Sequence, residues 1–257
     1  MDVDVCLTTI SGRIGQVHLV IGSILAQNPP PARVFLYLSH APWLLDRGVR
    51  DMPEALRDLA AADGRLHIGF VENTGPYRKI LPWLAEHGQS GRMVVTADDD
   101  TVYPQGWLEG LLAAWKPGLA VAHSAHPVVV RNGRVAPYRQ WLKASFVSPA
   151  LLALPIGKDG VLYRAADFPP EVLEVAEALR IAPTGDDLWL RWHLARVGIT
   201  VAVSGQAKLR DAGQSDSLWQ SYNRGGGNDA MVAALETWSS GRFGFTMAAL
   251  GAGPDQA

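Results

Sequence analysis

Over its first 115 residues the chain alternates short apolar runs with stretches of helical period. The runs 3–10 (VDVCLTTI), 33–39 (RVFLYLS), 65–72 (RLHIGFVE) and 92–98 (RMVVTAD) have the length and residue types of strands. Between them, 13–27 places Ile14, Val17, Val20, Ile21 and Ile24 at helical intervals before stopping at NPPP. Segments 52–63, 76–88 and 104–115 read as helices in the same way. Strands separated by helices have the crossovers that parallel pairing needs. The alternation predicts an α/β fold, a mainly parallel sheet with helices on both faces.

Beyond residue 115 the pattern loosens. Asn132-Gly133 between β-like runs predicts a hairpin within 127–138. Segments 171–179 and 186–198 read as helices and 199–204 as a strand. The glycines of NRGGGND (223–229) predict a loop, and 251–257 a flexible tail. With no repeat and no linker, 1–250 reads as one domain whose second half, 116–250, is elaborated.

Apolar residues make up 48% of the 257, enough for a sizeable core. A net charge of -2 lacks the basic excess of a general nucleic-acid or anionic-membrane binder, but a few local cations suffice for a small anionic ligand. Cys6 is the sole cysteine, so no internal disulfide forms, and its apolar strand makes it a core residue. The start, MDVDVCLTTI, is unlike a secretory signal. No apolar stretch reaches the roughly 20 residues of a membrane span. The simplest expectation is a cytoplasmic protein, with peripheral membrane association left open.

The stretch VVTADDDTVYPQGWL (94–108) puts Asp98, Asp99 and Asp100 straight after a strand. Ligands of an open parallel sheet bind outside the carboxyl ends of its strands. Three adjacent carboxylates repel unless something positive lies among them. Mg²⁺ and Mn²⁺ take oxygen ligands, Mg²⁺ commonly one or two carboxylates plus substrate phosphates. A calcium loop of the EF-hand type is a poor fit, since Val102 stands at the next alternate position. An acidic turn capping the helix from Pro104 has the same sequence, and the residues alone leave both open.

Three other segments carry chemistry. TTISGRIG offers the hydroxyls of Thr8, Thr9 and Ser11, the open backbone of Gly12 and the phosphate-pairing Arg13, or an ordinary helix cap at Ser11. It is neither a P-loop nor a GxGxxG turn. In ENTGPYRKILP, Lys79 follows the Gly75-Pro76 turn. In PTGDDLWLRWHL, Asp186 and Asp187 open a helix, where a carboxylate can cap or act as a general base. His123 and His126 have HxxH spacing without a helix or a third partner. Trp107, Trp115, Trp189 and Trp192 have core spacing, while Trp141 and Trp219 fall in irregular regions where a ring can stack on a sugar.

In order along 3–232, these segments resemble the GT-A-fold glycosyltransferases, closest to the family-2-like enzymes. LTTISGRIGQVHLVIGSILAQ resembles their first strand and helix, and NTGPYRKILPWL the Gly-Pro…Lys segment of a subset. TADDDTVYPQGWL resembles their DxD metal signature with YPxxWL, and LPIGKDGVLY their glycine-containing acceptor-side loop. GDDLWLRWHLARVGI resembles their acidic-pair helix and SLWQSYNRGGGND a late asparagine segment. The resemblance implies a Rossmann-like GT-A sheet with a nucleotide-binding half (1–115) and an acceptor-binding half (116–250).

It further implies a nucleotide-sugar donor, UDP-sugar by preference, and Mn²⁺ or Mg²⁺ as cofactor. Thr8, Thr9, Ser11, Arg13, Lys79, Asp98 and Asp99 would line the donor site, and Asp100 with Asp98 would hold the metal. Asp187 or Asp186 would be the base of an inverting transfer. Gly157, Asp159, Gly160 and Trp141 would face a glycan or lipid-linked acceptor. Asp186 stands where the family often has Glu, and no histidine follows His193 to complete the metal site. The alternatives are a catalytically silent sugar- or nucleotide-binding domain, or a sugar-nucleotide pyrophosphorylase, for which TTISGRIG has too few glycines. A metal-dependent phosphohydrolase would need more acids near the first strand than Asp2 and Asp4.

Overall fold

The computed structural model describes residues 2–205 and 218–251. The first half runs β1 (Val3–Thr8), α1 (Val17–Leu25), β2 (Arg33–Leu38), α2 (Glu54–Ala62), β3 (Leu66–Phe70), α3 (Leu81–His87), β4 (Met93–Thr96) and α4 (Trp107–Ala114). The second half begins with β5 (Leu119–Ala122), β6 (Ala125–Pro127), β7 (Val130–Arg131), β8 (Arg134–Val135), α5 (Tyr138–Trp141) and β9 (Ala153–Pro155). It ends with β10 (Val161–Arg164), α6 (Val175–Ile181), α7 (Asp186–Arg196), β11 (Thr200–Val203), α8 (Gly227–Phe243) and α9 (Met247–Gly251).

Seven strands form one sheet in the order β11-β5-β10-β4-β1-β2-β3. All neighbours are parallel except β10, which runs antiparallel between β4 and β5. Strand period decides which core each residue joins. Val3, Val5 and Leu7 of β1 pack with α1, α2 and α4, while Cys6 joins the opposite core with α3, α7 and α8. Cys6 is thus the core residue its strand pattern implied. Asp4, on the same face as Cys6, is held by Arg33, Arg92 and the Trp83 indole near the amino end of β1. It is a structural counter-ion, far along the strand from any ligand end.

Several expectations need correction; the helix read over 171–179 is a 3₁₀ turn (Pro170–Leu173) followed by α6. The helix read over 76–88 is a tight 3₁₀ turn (Gly75–Lys79) followed by α3. Pro82 has no amide to bond back to Arg78, so one continuous helix cannot run through it. The loop read over 223–229 is narrower. Only 224–226 form a turn, and α8 starts at Gly227 behind Gly226, whose φ of 101° is left-handed. A Cβ on Gly227 would stand 2.0 Å from the Tyr222 carbonyl oxygen, so a glycine there lets the helix begin. Finally, β10 had no counterpart in the sequence reading, being four residues long between 3₁₀ turns.

The Asn132-Gly133 hairpin forms as β7–β8, with positive φ at both residues. Trp219 opens a π-turn to Asn223, but its side chain lies outside the described residues. Gly251 of the expected tail ends α9, and 252–257 also lie outside them. Among the described residues no helix is long and apolar enough to cross a membrane.

Candidate active site

Adjacent parallel strands β1 and β4 end on the same side of the sheet and bring Thr8, Thr9 and Asp98–Asp100 together. They line a cavity of about 820 Å³ that Arg13, Lys79, Asp186 and Asp187 also line. That volume suits a nucleotide-sized ligand. The YPxxWL residues fasten the floor. The Tyr103 hydroxyl accepts from the Asp98 amide (2.8 Å) and donates to the Lys158 carbonyl (3.0 Å). The Trp107 indole donates to the Asp159 carbonyl (2.8 Å). The acidic turn and the 156–160 loop are thereby tied to one another.

The three aspartates have three environments. Asp99 is buried, accepting from the Thr9 hydroxyl and from Arg13 Nε (2.9 Å). Asp98 accepts from Lys79 Nζ (2.8 Å). Asp100 makes no ion pair among the described residues. Burial, then the charges of Asp98 and Asp99, push its carboxyl up to about 6. Arg13 and Lys79 therefore supply the positive charge between these carboxylates, while Asp100 feels Arg13 and Lys158 only at a distance that makes no ion pair and does not offset its burial.

Lys79 also stands 3.1 Å from Asp186 Oδ2 and so bridges the acidic turn to the start of α7. Burial alone would lower its pKa, but Asp186, Asp98 and Asp187 hold it well above that of a free lysine. Asp187 has no cation of its own within ion-pair distance among the described residues. Its Oδ2 accepts from the Gly157 amide (2.9 Å). A Cβ at position 157 would lie 2.5 Å from Asp187 Oδ1, so only glycine admits that approach. Burial, then the charge of Asp186, push Asp187 up to about 7 despite Lys79 and the Gly157 amide. The residues left the base open between the two acids. The structure gives Asp186 to Lys79 and leaves Asp187 with a proton affinity near neutrality.

Among the lining residues that the sequence did not single out, Arg78 and Asp46 form a buried ion pair. Arg78, 1% exposed, donates to Thr8 Oγ1 (2.6 Å), the Thr9 carbonyl (2.7 Å) and Asp46 Oδ2 (2.7 Å). Asp46 also accepts from the amides of Ser11 (2.9 Å) and Gly48 (3.0 Å). This buried pair pins the 40–48 loop to the end of β1. Arg78 could have been found beside Lys79, because adjacent cations in a tight turn need separate partners. Asp46, in an irregular stretch, carried no signal.

Several expected residues stand behind the cavity wall. Ser11 binds the loop through Asp46 and Arg47 and is neither at the wall nor a helix cap. Trp141 is fully buried, its indole donating to the Ala136 carbonyl (2.8 Å), so its face is taken by the core and presents nothing to an acceptor. Asp159 is buried and accepts from Ser124. Gly160 lies against the Trp107 ring. With Gly157 under Asp187, these residues support the site, while their neighbours Ile156 and Lys158 line it. His123 spends both ring nitrogens on Ser204 and the Trp107 carbonyl, which removes it from metal ligation.

Asp98 and the unpaired Asp100 offer the oxygen donors that a hard divalent cation takes, and the raised pKa of Asp100 marks charge still to be compensated. Among the described residues no three His, Cys, Asp or Glu side chains converge as a complete metal site. The fit is therefore to a cation completed by substrate oxygens and water.

No family model matches the chain, and no curated protein matches its sequence. Solved structures do match its fold. Residues 1–349 of TarS from S. aureus are 16% identical with a TM-score of 0.51, over 81% of this chain and 60% of that one. Glucosyl-3-phosphoglycerate synthase from Mycobacterium tuberculosis, solved with Mn²⁺, uridine diphosphate and glucosyl-3-phosphoglycerate, is 17% identical with a TM-score of 0.52, over 92% and 79%. At such identities the likeness bears on the fold. The chain shares the α/β architecture of these two structures, a GT-A-type, Rossmann-like, mainly parallel sheet with helices.

Proposed function

We propose that this chain is an inverting glycosyltransferase, moving a sugar from a nucleotide-diphosphate sugar to an acceptor hydroxyl. One observation carries the proposal. Asp187, with a proton affinity near neutrality, shares a cavity with the metal-ready pair Asp98 and Asp100. A general base works best with a pKa near the operating pH. Strongly shifted carboxylates in a cleft cluster at catalytic sites, which favours this reading over a silent binding domain. UDP-sugar is the favoured donor, in keeping with the uridine diphosphate in the mycobacterial synthase of the same fold.

The half before residue 116 holds the donor, with Thr8, Thr9 and Arg13 beside the nucleotide and Lys79 beside the diphosphate. Asp100 and Asp98 would hold Mn²⁺ or Mg²⁺, which when bound would supply charge compensation for a departing diphosphate. Asp186 keeps Lys79 charged and in place. Asp187 takes the proton of the acceptor hydroxyl as that oxygen attacks the anomeric carbon from the side opposite the leaving group. A single displacement of this kind inverts the configuration. The half from 116 to 250 presents the acceptor, a glycan or lipid-linked hydroxyl.

Asp187→Asn tests the assignment. It keeps shape and removes the base, so transfer should fall by roughly 10²–10⁴-fold while nucleotide affinity is retained. Undiminished transfer would refute the role.

A further inference from the structure

The net charge of -2 conceals a strong local asymmetry. Between Glu109 and Asp159 the sequence holds Lys116, Arg131, Arg134, Arg139, Lys143 and Lys158, and no acid at all. Four of these cations fall in one continuous stretch, the β7–β8 hairpin, α5 and the loop that follows. Arg131, Arg134, Arg139 and Lys143 are all exposed, and none makes an ion pair among the described residues. Among the described residues, Asp229 touches this stretch by accepting from the Tyr138 amide (2.6 Å).

Apolar side chains stand exposed among the cations. Val147 is 88% exposed and Leu142 46%. Tyr138 and Leu142 line the cavity, so the stretch forms part of its rim. A soluble polyanion would be served by the cations alone and gains nothing from a bare valine. An anionic bilayer uses both: its surface potential attracts Lys and Arg, and its headgroup boundary accepts apolar side chains.

We propose that the 130–147 face docks onto an anionic lipid surface and presents the cavity mouth to hydroxyls at that surface. Charge complementarity and the interleaved apolar side chains select this occupant.

The test is co-sedimentation of the full chain with vesicles of phosphatidylcholine alone and of phosphatidylcholine mixed with phosphatidylglycerol. Binding is expected only to the mixed vesicles and should weaken with salt. Each cation should be worth roughly fivefold, so the variant carrying Arg131→Gln, Arg134→Gln, Arg139→Gln and Lys143→Gln should lose about a hundredfold or more. Val147→Asp should weaken vesicle binding by itself. All five positions are exposed, and an unchanged melting temperature would verify that the variants fold. Absence of binding to the mixed vesicles by the wild type would overturn the proposal. So would equal binding to soluble polyphosphate with no effect of Val147→Asp, which would mark a general polyanion site. Because the assay reads binding without donor or metal, its outcome is independent of the transferase assignment.

Discussion

Asp187, the proposed base, links the proposed chemistry to the stability of the protein. The unfolded chain loses this proton near pH 3.8, whereas the folded chain keeps it up to about pH 7. Between those values the folded state binds more protons, so this group makes stability fall as pH rises through the window. Asp187→Asn should flatten that slope and raise stability at pH 8 by on the order of 1–3 kcal/mol, read by urea unfolding. An unchanged or lower stability at pH 8 would contradict the burial of charge inferred here. In the wild type, transfer should rise with pH through about 7 as the base is freed, so a flat profile from pH 5 to 8 would exclude Asp187 as base. The acidic pairs were legible in the sequence because runs of carboxylates are conspicuous. Their differing surroundings were not, since these depend on Lys79, Arg13 and the Gly157 amide arriving from distant segments. Trp141 shows the reverse limit: an irregular stretch need not be exposed, and its indole went to the core.

Helix α7 carries a second cost away from the cavity. His193 is buried against Trp189 (ring centroids 4.5 Å apart) and Trp238 (5.6 Å). Neither ring nitrogen has a hydrogen-bond partner among the described residues. Burial, then Arg196 and Arg242, push its pKa down to about 3. The unfolded chain therefore takes up this proton first as pH falls below about 6.5, and stability contributed by the neutral ring is lost on that side. His193→Phe keeps an aromatic ring and removes the unpaired polar atoms, so unfolding free energy at pH 7 should rise by about 1 kcal/mol with transfer unaffected. Destabilisation would mean the nitrogens are satisfied. The helix itself was plain in the sequence, with its acidic start. The start of α8 was not, since its glycines read as a loop, and tertiary contact with Tyr222 decided otherwise.

At the scale of the whole molecule, the sheet order places every element named above. The parallel half was legible because each apolar run was followed by a helical one. The antiparallel β10 was not, although it seats the 156–160 loop beneath Asp187 between β4 and β5. In the proposed function this arrangement holds a nucleotide through a metal on Asp100. It is tested most directly by melting wild type and Asp100→Ala with UDP, GDP, dTDP and CMP, each with Mn²⁺ and with EDTA. A ligand at a hundred times its Kd stabilises the native state by about 2.7 kcal/mol, several degrees for a chain of this size. UDP should raise the wild-type melting temperature with Mn²⁺, lose the effect in EDTA, and do nothing to Asp100→Ala. No shift with any nucleotide, or a shift indifferent to both EDTA and the substitution, would contradict the account.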